Sequence, residues 1–200
     1  MSDMNIRVAV VYHSGYGHTA RQAEAVARGA RTLTGCDSLL VKVEDIDQYW
    51  DTLETVDAII FGAPTYMGSV SAQFKAFMDA TSHAVFAKGG TWANKVGAGF
   101  TNSASHAGDK LSSLIQLALF AAQHKMHWVN LGLPPGNNSS TTSQEALNRD
   151  SYFLGAGAQS NADQGPDQAP SASDLKTAEH LGARVARVAL ELAVGRKALA

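Results

Sequence analysis

The sequence predicts a doubly wound α/β fold, a parallel sheet of about five strands between two layers of helices. Apolar, β-branched runs such as Val8-Ala9-Val10-Val11 and Ala58-Ile59-Ile60-Phe61 have the pattern of strands buried on both faces. They alternate with segments of helical spacing, as a parallel sheet with crossover helices requires. Loops rich in Gly, Ser and Thr follow the strands directly, where an open α/β sheet places its ligand.

The first strand is read at roughly Ile6 to Tyr12, with a helix from about Thr19 to Leu33 burying Ala20, Ala23, Ala27 and Ala30. Gly35 closes that helix, and a second strand is expected near Leu39 to Val43. The acidic segment Glu44 to Thr55 reads as a weak helix and loop. Ala58 to Pro64 reads as a central strand, followed by a loop and a helix carrying Phe74, Phe77 and Met78 inward. Val96 to Phe100 is a glycine-rich strand, Lys110 to His124 a strongly apolar helix, and Trp128 to Leu131 the last strand. The last helix carries Leu175, Ala178, Leu181, Val185, Val188 and Leu192 on one face. Ser171-Ala172-Ser173-Asp174 before it is an N-cap signature. Between Gly132 and Pro170 lies a long tract rich in Gly, Pro, Ser, Asn and Gln, which Tyr152, Phe153 and Leu154 could anchor to the body. Tracts of this length are functional covers, partner contacts or disordered.

The 200 residues suit a single domain over 1–200. A formal charge of -2 offers no basic stripe for nucleic acid. No apolar run reaches the roughly 18 residues of a membrane span. The short start before the first strand leaves no room for a signal peptide, so a cytoplasmic protein is expected. Cys36 is the only cysteine, which excludes an internal disulfide and a cysteine-based metal site; no metal is expected.

The most informative segment is His13-Ser14-Gly15-Tyr16-Gly17-His18-Thr19, between the first strand and its helix. It points free N–H groups and the positive end of a helix dipole at one spot, the arrangement that binds phosphate. Gly15 and Gly17 let the backbone close around the anion, and Ser14 and Thr19 supply hydroxyls. The loop has no lysine, so it is not a nucleoside-triphosphate loop, and its glycine spacing does not suit a dinucleotide. A monophosphate is the better reading, and FMN is the common cofactor that carries one. In the sheet order 2-1-3-4-5 such a ligand sits beyond strands one, three and four. The second and third loops are then Pro64-Thr65-Tyr66-Met67-Gly68-Ser69 and Thr101-Asn102-Ser103-Ala104-Ser105-His106-Ala107-Gly108.

With these loops, and with Gln73-Phe74-Lys75-Ala76-Phe77-Met78-Asp79 after the second, the chain resembles flavodoxin-like flavoproteins. It is most similar to the WrbA-type NAD(P)H:quinone oxidoreductases, from about Ile6 to Leu192. The resemblance implies that Ser14, Gly15, Tyr16, Gly17, His18 and Thr19 hold the FMN phosphate. It implies that Pro64, Thr65, Tyr66, Met67, Gly68 and Ser69 hold the isoalloxazine, with Thr101, Asn102, Ser103 and Ser105 completing the far side. No side chain is assigned as acid or base. NADH or NADPH is the implied reductant, a quinone-like small molecule the acceptor, and a homo-oligomer, dimer or tetramer, the assembly.

The chain departs from the family pattern at several points. Met67 and Ser69 stand where an aromatic residue and asparagine are frequent. The third loop lacks the usual run of Thr and Gly, and the acidic segment is shorter. Gln123-His124-Lys125-Met126 replaces a pair of histidines before Gly-Met, so the first histidine is missing. His106 reads either as facing the flavin or as capping the next helix, and His124 as a site residue or a helix-end histidine. The ring of His18 is expected to face solvent. Tyr66 reads as a flavin platform or an exposed loop aromatic, and Phe86, Trp92 and Tyr152 are candidates for an interface. Lys75, Lys88, Lys95 and Lys110 are expected near the site side or its flanking helices, a charge pattern unlike the acidic docking face of a single-electron carrier, which is the rival reading.

Overall fold

The computed structural model describes residues 5–199. Its seven strands are β1 (Ile6–Tyr12), β2 (Cys36–Lys42), β3 (Ala58–Tyr66), β4 (Ser69–Val70), β5 (Val96–Ser103), β6 (His127–Trp128) and β7 (Ala156–Gln159). The five α-helices are α1 (His18–Arg31), α2 (Trp50–Thr55), α3 (Ala72–Thr81), α4 (Lys110–Gln123) and α5 (Ala172–Leu199). A short 3-10 helix precedes α2, and a π-helical turn, Ser82–Phe86, extends α3.

The main path of the sheet runs β2-β1-β3-β5-β6, all parallel. Counted along this path, with β4 and β7 set aside, it is the expected order with its reversal beside β1. Two departures shape the site. The chain after Tyr66 turns back as β4, antiparallel to β3, through Met67 and Gly68, both at positive φ (49° and 78°). Two residues of that conformation make a tight hairpin of the I′ kind, so the second loop is a rigid ribbon. The edge beyond β5 is divided: β6 pairs with Val96 and Gly97, and β7 with Phe100 to Ser103. The expected last strand Trp128–Leu131 therefore shrinks to β6 and one further bond, from the Val129 amide to the Gly97 carbonyl at 2.8 Å.

Each sheet face buries its own layer. Val8, Val10, Ile60, Ala98 and Phe100 pack with α1 and α5 on one side. Val11, Ile59 and Phe61 pack with Phe74, Phe77, Trp92, Leu117 and Phe120 on the other. Alternate residues of one strand thus feed opposite cores, which is why those runs are apolar throughout. Trp92 is fully buried here and is not an interface residue of the surface. The N-cap before α5 forms as expected, with Ser171 Oγ accepting the Asp174 amide at 3.2 Å.

Candidate functional site

β1 delivers the chain to the first loop, and Gly17, at φ 90°, turns it into α1. Ser14 Oγ accepts the Ala20 amide at 3.1 Å, and the Gly15 amide faces the Tyr66 hydroxyl. Among the described residues the amides of Ser14, Tyr16, Gly17, His18 and Thr19 have no acceptor. Beneath the loop, buried His13 pairs Nδ1 with Ser71 Oγ at 2.8 Å and sets Nε2 at 3.4 Å from Glu44. Burial lowers its pKa, opposed by the Glu44 carboxylate.

β3 brings Pro64, Thr65 and Tyr66 to the same end. Thr65 Oγ1 lies 2.7 Å from both Thr101 Oγ1 and Ser113 Oγ, a buried hydroxyl chain tying β3, β5 and α4. Ser69 Oγ donates to Gln116 Oε1 at 2.9 Å and holds the hairpin against α4. The Tyr66 ring meets Tyr16 edge-on at 6.3 Å. Burial, followed by Tyr16, raises the Tyr66 pKa, so its hydroxyl stays protonated near neutral pH.

The third loop begins later than expected, because Thr101, Asn102 and Ser103 are the last residues of β5. Asn102 donates to Ser160 Oγ at 2.9 Å, and the Ser160 amide donates to the Ser103 carbonyl at 3.1 Å. These bonds fasten the chain after β7 across the site. His18 Nε2–H donates to the Gln164 carbonyl at 2.8 Å from the opposite side.

The three loops and this returning segment enclose a cavity of about 740 Å³. Of the expected site residues, Ser14, Tyr16, His18, Thr19, Pro64, Thr65, Tyr66, Met67, Asn102 and Ser103 line it. The wall does not include Gly15, Gly17, Gly68, Ser69, Thr101 or Ser105. The glycines shape turns, Thr101 is sealed beneath the wall, Ser69 is engaged with Gln116, and Ser105 is exposed with its carbonyl turned to Lys110. Ala104, inside the expected third loop, also lines it, whereas the returning residues Ser160, Ala162, Gln164 and Gly165 were not anticipated. Their only signal was the length and polarity of the tract that holds them.

The histidines and lysines also resolve. The His18 ring is a clasp to Gln164 instead of facing solvent. His106 turns to Asp150, with Nδ1 at 3.3 Å from Oδ1. His124 lies at the far end of α4, against Thr81, Trp92 and Phe120, outside this cavity. Lys75 and Lys88 pair with Asp79 and Glu54, and Lys95 donates to the carbonyls of Glu54 and Val56 below the sheet; only Lys110 reaches the site. Tyr152 is pinned, its hydroxyl donating to the Ala107 carbonyl at 2.7 Å.

A family profile described as NADPH-dependent FMN reductase matches residues 27–134. The chain is 45% identical to flavodoxin FldP of Pseudomonas aeruginosa, covering 93% of this chain and 98% of that one. It is 31% identical to an NAD(P)H dehydrogenase (quinone) of Geotalea uraniireducens, covering 94% and 100%. In three dimensions it is similar to a flavodoxin, WrbA-like protein from Agrobacterium tumefaciens, with a TM-score of 0.72 and 42% identity over 94% of this chain and 99% of that one.

Proposed function

The chain belongs to the NADPH-dependent FMN reductase family, within its flavodoxin-like, WrbA-type branch, and from that premise we propose that it is an FMN-dependent reductase passing two electrons from NADH or NADPH to a quinone or similar acceptor. The observation that carries this reading is the cavity at the carboxyl ends of β1, β3 and β5, bordered by a run of unclaimed amides at the start of α1. Its size falls within the range of about 300–1,000 Å³ typical of cofactor sites.

The residues fit the cofactor. The free amides between Ser14 and Thr19, with the α1 dipole behind them, would take the phosphate without a cationic side chain. A Cβ on Gly15 would lie 2.7 Å from the Tyr66 hydroxyl, so the cradle needs that glycine. Pro64 to Met67 and Asn102 to Ser103, carried side by side by the paired strands β3 and β5, form adjoining walls for a flat ring system. When bound, the flavin supplies the hydride-accepting N5 and the electrons for the acceptor. The protein's share is orientation. Thr65 fixes the wall through its two hydroxyl partners, and the tight turn at Met67 and Gly68 holds the rim. Exposed Tyr16 and Met67 stand at the mouth, where a planar acceptor would stack.

A homo-oligomer belongs to the same proposal. Leu111, Ile115 and Leu119 follow one another at four-residue spacing along α4 and are all exposed, an apolar stripe suited to a second copy. A cytoplasmic setting is part of it too; among the described residues no helix is long and apolar enough to cross a membrane.

The likeness to flavodoxin FldP favours a second reading, a single-electron carrier. Among the described residues no carboxylate lines the cavity, whereas carriers steered electrostatically to partners are acidic around the flavin. Anaerobic stopped-flow mixing of the FMN-loaded protein with NADH and with NADPH, then with benzoquinone, separates the two. Direct bleaching followed by rapid reoxidation supports the reductase. Lack of bleaching by either nicotinamide would favour the carrier.

A further inference from the structure

Lys110 opens α4, yet its side chain is completely buried. Both facts oppose ordinary preference. Lysine is rarely buried without a full set of partners, and an ammonium at a helix start faces the positive end of the dipole. Its partners are specific. Nζ donates to the Ser105 carbonyl at 2.7 Å and to Ser103 Oγ at 3.2 Å, and stands 3.7 Å from Asp150 Oδ2 and 5.7 Å from the centre of the Tyr152 ring. Ser103 Oγ in turn donates to the Ser105 carbonyl at 3.0 Å.

Asp150 and Tyr152 come from the stretch between β6 and β7, and they reach the same loop. Asp150 meets His106, and the Tyr152 hydroxyl donates to the Ala107 carbonyl. Arg149 is occupied elsewhere, in a two-pronged bond to Asp174 at 2.8 Å on each arm. The ammonium is thus the hub on which the third loop folds, and one of its acceptors, Ser103, is a wall of the cavity.

We propose that Lys110 is a positioning residue for FMN: its buried amine, backed by Asp150, holds Ser103 to Ser105 in the conformation that closes the far wall of the flavin site. This rests on the FMN reading above. Burial, joined by Arg149 and partly offset by Asp150 and Asp174, brings the Lys110 pKa down to about 8. Asp109, His106 and Tyr152 are the other titratable neighbours. The amine therefore loses its proton within a range where FMN phosphate, whose second ionisation is near pH 6, no longer titrates.

Linkage gives folding and FMN binding the same sign, because both order the loop that buries the amine. Because the folded pKa lies below the unfolded value, neutralising Lys110 stabilises the fold as pH rises from about 8 to about 10.4. FMN affinity should rise as pH passes through the lower end of the same interval, because the ordered loop holds the neutral amine better than the ammonium. The test is FMN titration of the apoprotein by flavin fluorescence quenching from about pH 7 to about pH 9, with folding checked by thermal melting.

Wild type should bind more tightly as pH rises through about 8. Lys110→Met should bind at least about tenfold more weakly at neutral pH, and with no inflection. Asp150→Asn, which removes the charge that favours the ammonium, should move the inflection to lower pH, and it carries the test alone if Lys110→Met does not fold. Either folded variant showing wild-type affinity and a wild-type pH profile would overturn the proposal while leaving the FMN reading intact. Wild type failing to bind FMN at any pH would overturn both.

Discussion

Gly17 stands against Pro166 so closely that a methyl group on Gly17 would lie 2.9 Å from the proline Cγ. A loop at the start of the chain and a tract near its end thus meet at the candidate phosphate site, and His18 with Gln164 repeats the contact beside it. Gly17→Ala would be strained twice, by φ 90° and by the proline ring. A left-handed non-glycine residue costs about 1–2 kcal/mol, and moving the loop to relieve it would misalign the amides. The expected result is FMN affinity about tenfold lower, measured by fluorescence titration, with a smaller loss in melting temperature than the helix-packing substitution below.

Gly182 of α5 sits over the backbone of α1, where an added methyl would lie 1.9 Å from the Val26 carbonyl oxygen. Gly29 makes the reciprocal approach, with its methyl position 1.9 Å from the Glu179 carbonyl. Backbone cannot yield as a flexible side chain can, so Gly182→Ala must part the helices. Overpacking of this kind costs about 1–3 kcal/mol or more. At about 2–4 °C per kcal/mol for a chain of this size, calorimetry should find a clearly lower melting temperature. FMN affinity of the folded fraction should be unchanged, since neither glycine touches the cavity.

These two glycines mark where reading the chain succeeds and where it stops. The first loop was legible because an apolar run, two glycines and an alanine-rich helix occur in immediate succession. β1 and the core of β3 were legible because strands buried on both faces leave little sequence choice. β7 was not: Ala-Gly-Ala-Gln has no β-branched residue, and its strand exists through pairing with Phe100 to Ser103. The end of β5 was hidden likewise, because Thr101 and Asn102 look like loop residues until their buried partners Thr65 and Ser160 are seen. Lys110 reads as an ordinary charged residue at a helix start. Only the fold reveals that Asp150 and Tyr152, some forty residues on, enclose it.

Leu119 is the most exposed residue of the α4 stripe, at 61%. If a second copy covers that face, a carboxylate placed there would be desolvated without a partner. Leu119→Glu should shift the protein to a smaller species in light scattering coupled to gel filtration. Melting at high dilution should match that of dissociated wild type. An unchanged mass would move the oligomer interface elsewhere.

His124 gives the fold a defined weakness to acid. Thr81 Oγ1 donates to the Met78 carbonyl at 2.6 Å, so it accepts from His124 Nε2–H at 2.9 Å. That leaves Nδ1 buried without a hydrogen-bond partner among the described residues, with the rings of Trp92, Phe120 and Phe86 packed around the imidazole. Burial lowers the pKa of the ring, because a second proton would find no acceptor there. Below about pH 6.5 the unfolded chain takes up a proton that the folded chain refuses, so stability falls as pH drops. His13 pulls in the same direction, more weakly opposed to charge because Glu44 faces it. Urea unfolding of wild type and His124→Gln at neutral and mildly acidic pH isolates the His124 share. The variant should be less stable at neutral pH, having lost ring packing, yet should lose less on acidification. A parallel loss in both proteins would assign the acid sensitivity to His13 or to the carboxylates.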